Sequence, residues 1–547
     1  MKKLTNLIPD FMVKRCPKSG RIVKLRFDNI YAKIAFPLMG LLAIIWFLVR
    51  VIPKPSRAAY PCQQVAIGIV GTSLIYFIGL ITSLGVYTQI SKRLNKSLAL
   101  GFIVSVAVIV SITVGMAIST NNAVEPITTI TTPPESVNSP MGVAKGISPG
   151  RVAWAQDFDA TSWEEGKGPW WEDSSIDQKT VNKMLSATLR SFTNAKSDKA
   201  AWDKLFKYNN QLKGLGKKGY KKGEKIVIKL NINPTAKPED KWNDKGYPSP
   251  QMVYALIAQL IEVSGISGKD IILSDPSRFI GAPIVDKIRA NPSQEFQDVI
   301  IEVSNASGIK GYRTAEPDSS ALIWFNMPDK SRFKMCFPKS FTDASYIINY
   351  SLVRPHRVFG ITSVAKNHFG SVWSFERKKF TPNDLHVFAL WSYATPNKMN
   401  EPHCSPVLLG HEINYKKTFL YFADGLYTAI NQGGPVKRMS SFKNDWFSSV
   451  LIAQDPVALE SVIADFISNE PNLTTGNPSF NGNQDNQFHE CALANNPPSG
   501  TKYDPENDGT GLQSLGVHEH WNNTMDRKYS RNLAKGKGIE LLSVKLK

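Results

Sequence analysis

Three times within the first 118 residues the polar positions almost vanish, in the runs Ile34 to Ile52, Val65 to Tyr87 and Leu98 to Ile118, and none of the three holds an Asp or Glu. Each run has about the 20 residues that about 30 Å of hydrocarbon demands at 1.5 Å rise per residue. The pattern predicts a membrane anchor over residues 1–118 with three transmembrane helices (34–52, 65–87, 98–118). From Ser119 to Gly150 the chain turns to Thr, Pro, Ser, Asn and Gly. A stretch of that kind cannot bury a face, and 119–150 is expected to be a flexible linker.

Beyond residue 150 the hydrophobic period changes. Val181, Met184, Leu185, Thr188, Leu189 and Phe192 recur at helical spacing, predicting a helix from Gln178 to Phe192. Ile226 to Leu230 reads as a short β-branched strand, and Ser249-Pro250 opens a helix with Val253, Leu256, Ile257, Leu260 and Ile261 on one face. The same alternation continues with a strand at Ile271 to Leu273 and a helix from Ala282 to Ala290. Further strands are expected at Val299–Val303, Tyr346–Asn349, Phe419–Phe422 and Ser449–Ala453, with a helix from Pro456 to Ile467. Strands alternating with helices predict an α/β domain over 151–547, built on a mainly parallel sheet with helices on both faces and preceded by the three transmembrane helices.

Charge sharpens the membrane reading. Residues 1–150 hold 16 Lys and Arg against 4 Asp and Glu, which is most of the formal net charge of +19. The excess flanks apolar runs and does not mark the folded part, so nucleic acid is not the expected partner; the lipid bilayer is. Nine basic residues precede the first run and Lys92, Arg93 and Lys96 lie between the second and third, against only Lys54 and Arg57 in the intervening loop. By the positive-inside rule the tail faces the cytoplasm, and an odd number of spans makes the α/β domain extracytoplasmic. Cys16, Cys62, Cys336, Cys404 and Cys491 form no Cys-x-x-Cys pair. That argues against a four-thiolate zinc or iron–sulfur site and leaves buried thiols or one disulfide between distant cysteines.

In a parallel sheet ligands gather beyond the carboxyl ends of the strands. The residues expected there are Asn231 and Asn233, Ser274 and Asp275, Asn349, Asp424, and Gln454 with Asp455. Lys229 interrupts an apolar strand and should be buried beside a carboxylate such as Asp275 or Asp424. Between Arg354 and Gly370 the chain concentrates Arg354, His356, Arg357, Lys366, Asn367 and His368. Arginine forks bind carboxylate or phosphate, lysine adds a point charge and histidine moves a proton near neutral pH, so the segment suits a small anionic ligand. The candidate catalytic residues are His356, Lys366, Asp275 and Asp424; the candidate ligand-binding residues are Lys229, Asn231, Arg354, Arg357, Asn367 and Asp455. In the C-terminal extension 471–547, His518 and His520 at i, i+2 could join His489 in holding a divalent metal ion.

An ordered series of segments, Lys225 to Asn231, Ser274 to Ser277, Pro355 to Gly370, Ala423-Asp424-Gly425 with Gly433-Gly434-Pro435, and Ala453 to Glu460, resembles the domain of unknown function 362 family over a core of residues 220–470. The resemblance implies a fold and a set of candidate residues but no reaction. Many members resemble iron–sulfur proteins through an appended cysteine-rich segment; this chain lacks that segment, so no cluster is expected. The His356 and Lys366 pair is also similar, in that one motif, to lactate racemase-type nickel enzymes. Two functions follow: an enzyme acting on an anionic small molecule by acid–base or metal-assisted chemistry, or a non-catalytic ligand- or partner-binding module of the cell envelope.

Overall fold

The computed structural model describes residues 135–546 apart from 234, 236, 238, 239, 241, 327–330, 389–397 and 475–483, together with the backbone of two paired strands, Val13–Arg15 and Ile22–Leu25. The three apolar runs at 34–52, 65–87 and 98–118 lie outside the described residues. Among the described residues no helix is long and apolar enough to cross a membrane.

Nine strands form the central sheet: β1 Arg151–Gln156, β2 Ile226–Lys229, β3 Ile271–Asp275, β4 Ile300–Val303, β5 Tyr312–Thr314, β6 Tyr346–Leu352, β7 Thr418–Gly425, β8 Ser449–Ala453 and β9 Glu540–Val544. Their order across the sheet is β9-β1-β8-β7-β6-β2-β3-β4-β5. Every neighbouring pair is parallel except those of β8, which runs antiparallel to both β7 and β1. The fold is therefore α/β with a mixed sheet. The expectation of a mainly parallel sheet holds for eight strands and fails at β8.

Alternation along the strands divides the interior in two. Ile226 and Ile228 of β2 and Ile271 and Leu273 of β3 pack into one core, with helices Gln178–Thr193, Pro250–Ala258 and Ala282–Arg289. Val227 and Ile272 point into the other, which holds helix Pro456–Ser468 and the hairpin and short helices that follow β6. Because successive side chains alternate, Lys229 emerges on the side of Val227. The helix starts follow local chemistry: Asp177 accepts from Thr180 N at 2.7 Å, Asp455 accepts from Ala458 N at 2.9 Å, and Pro250 sits in the first turn of its helix.

Four features were not expected from the sequence pattern. Helix Asp198–Leu212, the adjacent strands β9 and β1 that close one side of the sheet, and the reversal of β8 are three of them. The fourth is a separate antiparallel sheet, in the order Lys379–Phe380, Trp373–Ser374, Arg332–Pro338, Pro317–Asn326. Of the expected linker 119–150, the part from residue 135 lies along the domain. Met141–Gly142 pairs with Val517–His518, Lys145 N donates to Asp455 Oδ2 at 2.8 Å, and Ile147 N donates to Gln454 Oε1 at 2.9 Å.

Candidate functional site

Beyond the carboxyl ends of β2 and β3 lies a cavity of about 250 Å³. Lys229, Asn231, Asp275 and Arg278 line one side; Arg354, His356, Lys366, Asn367 and Gly370 line the other, with Phe369 and His386. The segment between Arg354 and Gly370 is folded into the cavity by two devices. Arg354–His356 pairs antiparallel with Gly360–Thr362, and Gly360 closes the three-residue turn at φ +78°, a left-handed conformation that suits glycine. The short helix Val364–Asn367 follows, and Asn367 anchors it to the sheet end: its Nδ2 donates to Lys229 O at 2.9 Å, Asn349 Oδ1 at 2.8 Å and Tyr350 O at 3.0 Å. Gly370 passes so close to β3 that a Cβ there would run into Ser277 Oγ and approach Asp275 Oδ1.

Lys229 is 1% exposed and lies 3.4 Å from Asp275 Oδ2. Its ammonium also donates to Leu230 O and, at 3.0 Å, to Asn367 Oδ1. Burial pulls its pKa down and Asp275 opposes that pull. Asp275 in turn accepts from Ile232 N at 2.9 Å and from Ser277 N and Oγ at 3.2 and 3.1 Å, which fixes the carboxylate at the strand end.

The other cations of the cavity have no such partner. Arg354 is 1% exposed, donates from Nη1 to Gly246 O at 2.8 Å and from Nη2 to Asn231 Oδ1, and leaves Nε buried with no hydrogen-bond partner. Burial lowers its pKa to about 9. Arg278 donates only to neutral oxygens, those of Asn233 and Ser277. The Lys366 Nζ sits 3.5 Å from the centre of the Phe369 ring, 4.5 Å from that of Phe359, and 3.2 Å from His386 Nε2. Among the described residues no carboxylate is within ion-pairing distance of Arg278, Arg354 or Lys366. Burial holds Lys366 well below the usual lysine range.

The histidine tautomers follow from their partners. His386 Nδ1 lies 2.7 Å from Pro382 O, which can only accept, so Nδ1 carries the proton and Nε2 receives a hydrogen bond from Lys366. His356 Nδ1 accepts from Val358 N at 3.1 Å and Phe359 N at 3.3 Å, so its proton is on Nε2. Burial lowers both histidines, His386 to about 3 and His356 well below its ordinary value, so both are neutral near pH 7. The cavity thus offers fixed N–H donors, a desolvated amine and uncompensated guanidinium groups.

Three expected site residues lie elsewhere. Asp424 shares the opposite face of the sheet with Phe422 and Tyr350, as the two-residue period requires. There it accepts from Tyr350 Oη at 2.8 Å and Ser249 N at 2.7 Å, anchoring the start of helix Pro250–Ala258. Asp455 follows the reversed strand β8 and so leaves at the opposite end of the sheet, where it caps helix Pro456–Ser468 and receives Lys145 N. Arg357 occupies the hairpin turn, is exposed, and does not line the cavity. Sequence reasoning missed His386, Arg278 and Phe369. Arg278 had a legible signal, three residues past Asp275 at a strand end. His386 sits in the turn Asn383–Phe388 with no motif around it.

The histidines of the C-terminal extension meet apart from this cavity. His489, His518 and His520 direct Nε2 at Glu135 Oε2, at 2.8, 3.3 and 3.7 Å, and His520 Nε2 lies 3.3 Å from Asp485 Oδ2. Glu135 with His489 and His518, and Glu135 with Asp485 and His520, are groups able to hold a metal ion. Cys336, Cys404 and Cys491 are separate buried thiols.

Comparison with curated proteins and with solved structures returned no match. Residues 226–465, which contain β2, β3, the Arg354 to Gly370 segment and β8, match the family model described as Domain of unknown function (DUF362).

Proposed function

We propose that the cavity at the ends of β2 and β3 binds a small anionic molecule and carries out acid–base chemistry on it. One observation supports this reading above the others: Arg354 is buried with no counter-charge among the described residues and with an orphaned Nε, in the wall of a cavity that also holds Lys366 and Arg278. An unpaired buried charge costs several kcal/mol, and a carboxylate or phosphate entering the cavity is the group that offsets the cost. Arg354 and Arg278 then hold the anion. Lys366, whose pKa burial pulls down, is placed to exchange a proton with the bound molecule, with His386 Nε2 accepting its hydrogen bond, and His356 Nε2–H donates to that molecule. In this reading Lys229 and Asp275 position the strand end, and Asn367 positions Lys366. The divalent ion expected of His489, His518 and His520 belongs to a separate site and not to this chemistry. The apolar runs at 34–52, 65–87 and 98–118 tether the domain to a bilayer, on its extracytoplasmic side.

The test is a thermal-shift screen of the full-length chain against small carboxylates and phosphates. A true ligand at 100 times its Kd adds about 2.7 kcal/mol of stability. Arg354→Met should remove that gain, while Lys366→Met should retain binding and lose turnover. A hit that stabilises the Arg354→Met protein as much as the parent refutes the reading.

A further inference from the structure

The proton positions around His518 and His520 are determined by their neighbours. Ser461 Oγ has one proton and gives it to Val457 O at 2.7 Å, an oxygen that only accepts. His518 Nδ1, 2.8 Å from the same Oγ, must therefore be the donor of that contact, which puts the lone pair of the neutral ring on Nε2. That lone pair faces Glu135 Oε2 at 3.3 Å. His520 is oriented by a carboxylate in place of a hydroxyl. Asp465 accepts from Tyr529 Oη at 2.7 Å and Trp521 N at 3.1 Å on one oxygen, and its other oxygen lies 2.6 Å from His520 Nδ1. Nδ1 donates there, and Nε2 faces Asp485 Oδ2 at 3.3 Å and Glu135 Oε2 at 3.7 Å, where a metal ion would take the place of a proton. The His518 lone pair and the Glu135 oxygen it faces repel, and a cation between them turns that contact into an attraction.

Two further observations point the same way. Glu135 Oε1 and Asp485 Oδ1 are buried with no hydrogen-bond partner, although a buried carboxylate oxygen without a donor is costly. The separations also suit a metal. Bonds of about 2.0–2.2 Å to nitrogen and oxygen place tetrahedral ligand atoms about 3.3–3.6 Å apart, close to the 2.8, 3.3 and 3.7 Å found around Glu135 Oε2.

We propose that the two triads Glu135–His489–His518 and Glu135–Asp485–His520, which share Glu135, form a site for one divalent transition-metal ion. Imidazole nitrogens favour zinc, iron, cobalt or nickel over calcium and magnesium, which prefer all-oxygen sites. Asp465 is the outer carboxylate that orients His520, and Ser461 does the same for His518. The ion ties three parts of the chain together: the segment entering the domain at Glu135, the helix Asn486–Ala492 that carries His489, and the strand Val517–His518. The site does not depend on the reading of the sheet cavity.

The full-length chain, purified in detergent and stripped with a chelator, is titrated with Co²⁺ and then with Zn²⁺. One equivalent of Co²⁺ should bind with visible ligand-field bands, and Zn²⁺ should displace it and raise Tm. His489→Ala and Glu135→Gln, at partly exposed positions that leave the helix and strand intact, should each weaken Co²⁺ binding at least about tenfold; Asp465→Asn should weaken it about 10- to 100-fold. Absence of the bands with no Zn²⁺ retained overturns the proposal and leaves a hydrogen-bonded network with His520 protonated between Asp465 and Asp485. Equal Zn²⁺ binding by the parent and by His489→Ala and Glu135→Gln overturns it too, as adventitious uptake elsewhere.

Discussion

Replacing Lys229 with methionine removes the partner of a carboxylate that is 2% exposed. Breaking a buried ion pair from one side costs about 3–5 kcal/mol, because the remaining charge is stranded. Asp275 keeps three donors, Ile232 N, Ser277 N and Ser277 Oγ, so the lower end, about 3 kcal/mol, is expected here. Asp275→Asn is milder, about 1–2 kcal/mol, because a buried lysine whose pKa is already pulled down can shed its proton. With both groups made neutral nothing is stranded, so Lys229→Met/Asp275→Asn should cost about 3 kcal/mol, less than the sum of the two single changes. The assay is urea unfolding of the full-length chain followed by tryptophan fluorescence, with the four proteins compared at a common m value. Single and double variants that add to within about 0.5 kcal/mol would show that the pair is not coupled, and the account of the strand end would fail.

Acid should weaken the domain in a defined window. Burial holds His368, His386 and His403 at about 3, against an ordinary value of 6.5, so the unfolded chain protonates first. The histidine contribution is complete above about pH 6.5 and falls as the pH drops toward 3, by up to about 4 kcal/mol per pH unit for three histidines, opposed in part by Asp455 and Glu460, which burial raises to about 7 and about 8; a urea midpoint that rises steadily from pH 7 to pH 3.5 would contradict this. Protease added to intact spheroplasts should digest the domain, as the nine basic residues before the first apolar run and the two after it imply. Complete protection would reverse the topology.

What the sequence made legible was local. The helix from Gln178, the strand Ser449–Ala453 and the helix from Pro456 were readable because each is an uninterrupted apolar pattern, and Asp177 and Asp455 cap the two helices. The gathering of Lys229, Asp275, Arg354, His356, Lys366 and Asn367 was readable too, since parallel strands align their carboxyl ends. What was hidden depended on direction and distance. Nothing in Ser449 to Ala453 reveals that the strand runs backward, and that reversal alone removes Asp455 from the site. Asp424 was misplaced because strand ends were considered without asking which face each residue occupies. Glu135 was read as part of a linker, since its partners lie more than 350 residues further on, His489 at a separation of 354. The strands β1 and β9 were missed for a related reason: each takes its place only when paired with distant chain.

The position of β1 has a consequence for biosynthesis. It is the first strand of the central sheet to be made, yet it lies between β8 and β9, so that Trp154 hydrogen-bonds to Ser449, 295 residues later. At about 5–20 residues per second, about 300 residues take roughly 15–60 s to synthesise. For that time Arg151–Gln156, with Val152, Ala153, Trp154 and Ala155 destined for the interior, has neither neighbour, and an apolar strand with two open edges invites pairing with other chains. The parallel half of the sheet, from β2 to β6, can assemble meanwhile. The segment that joins β1 to the N-terminal region must wait for nearly the last residues of the protein, so any factor that shields the nascent chain should hold the region around Trp154 longest.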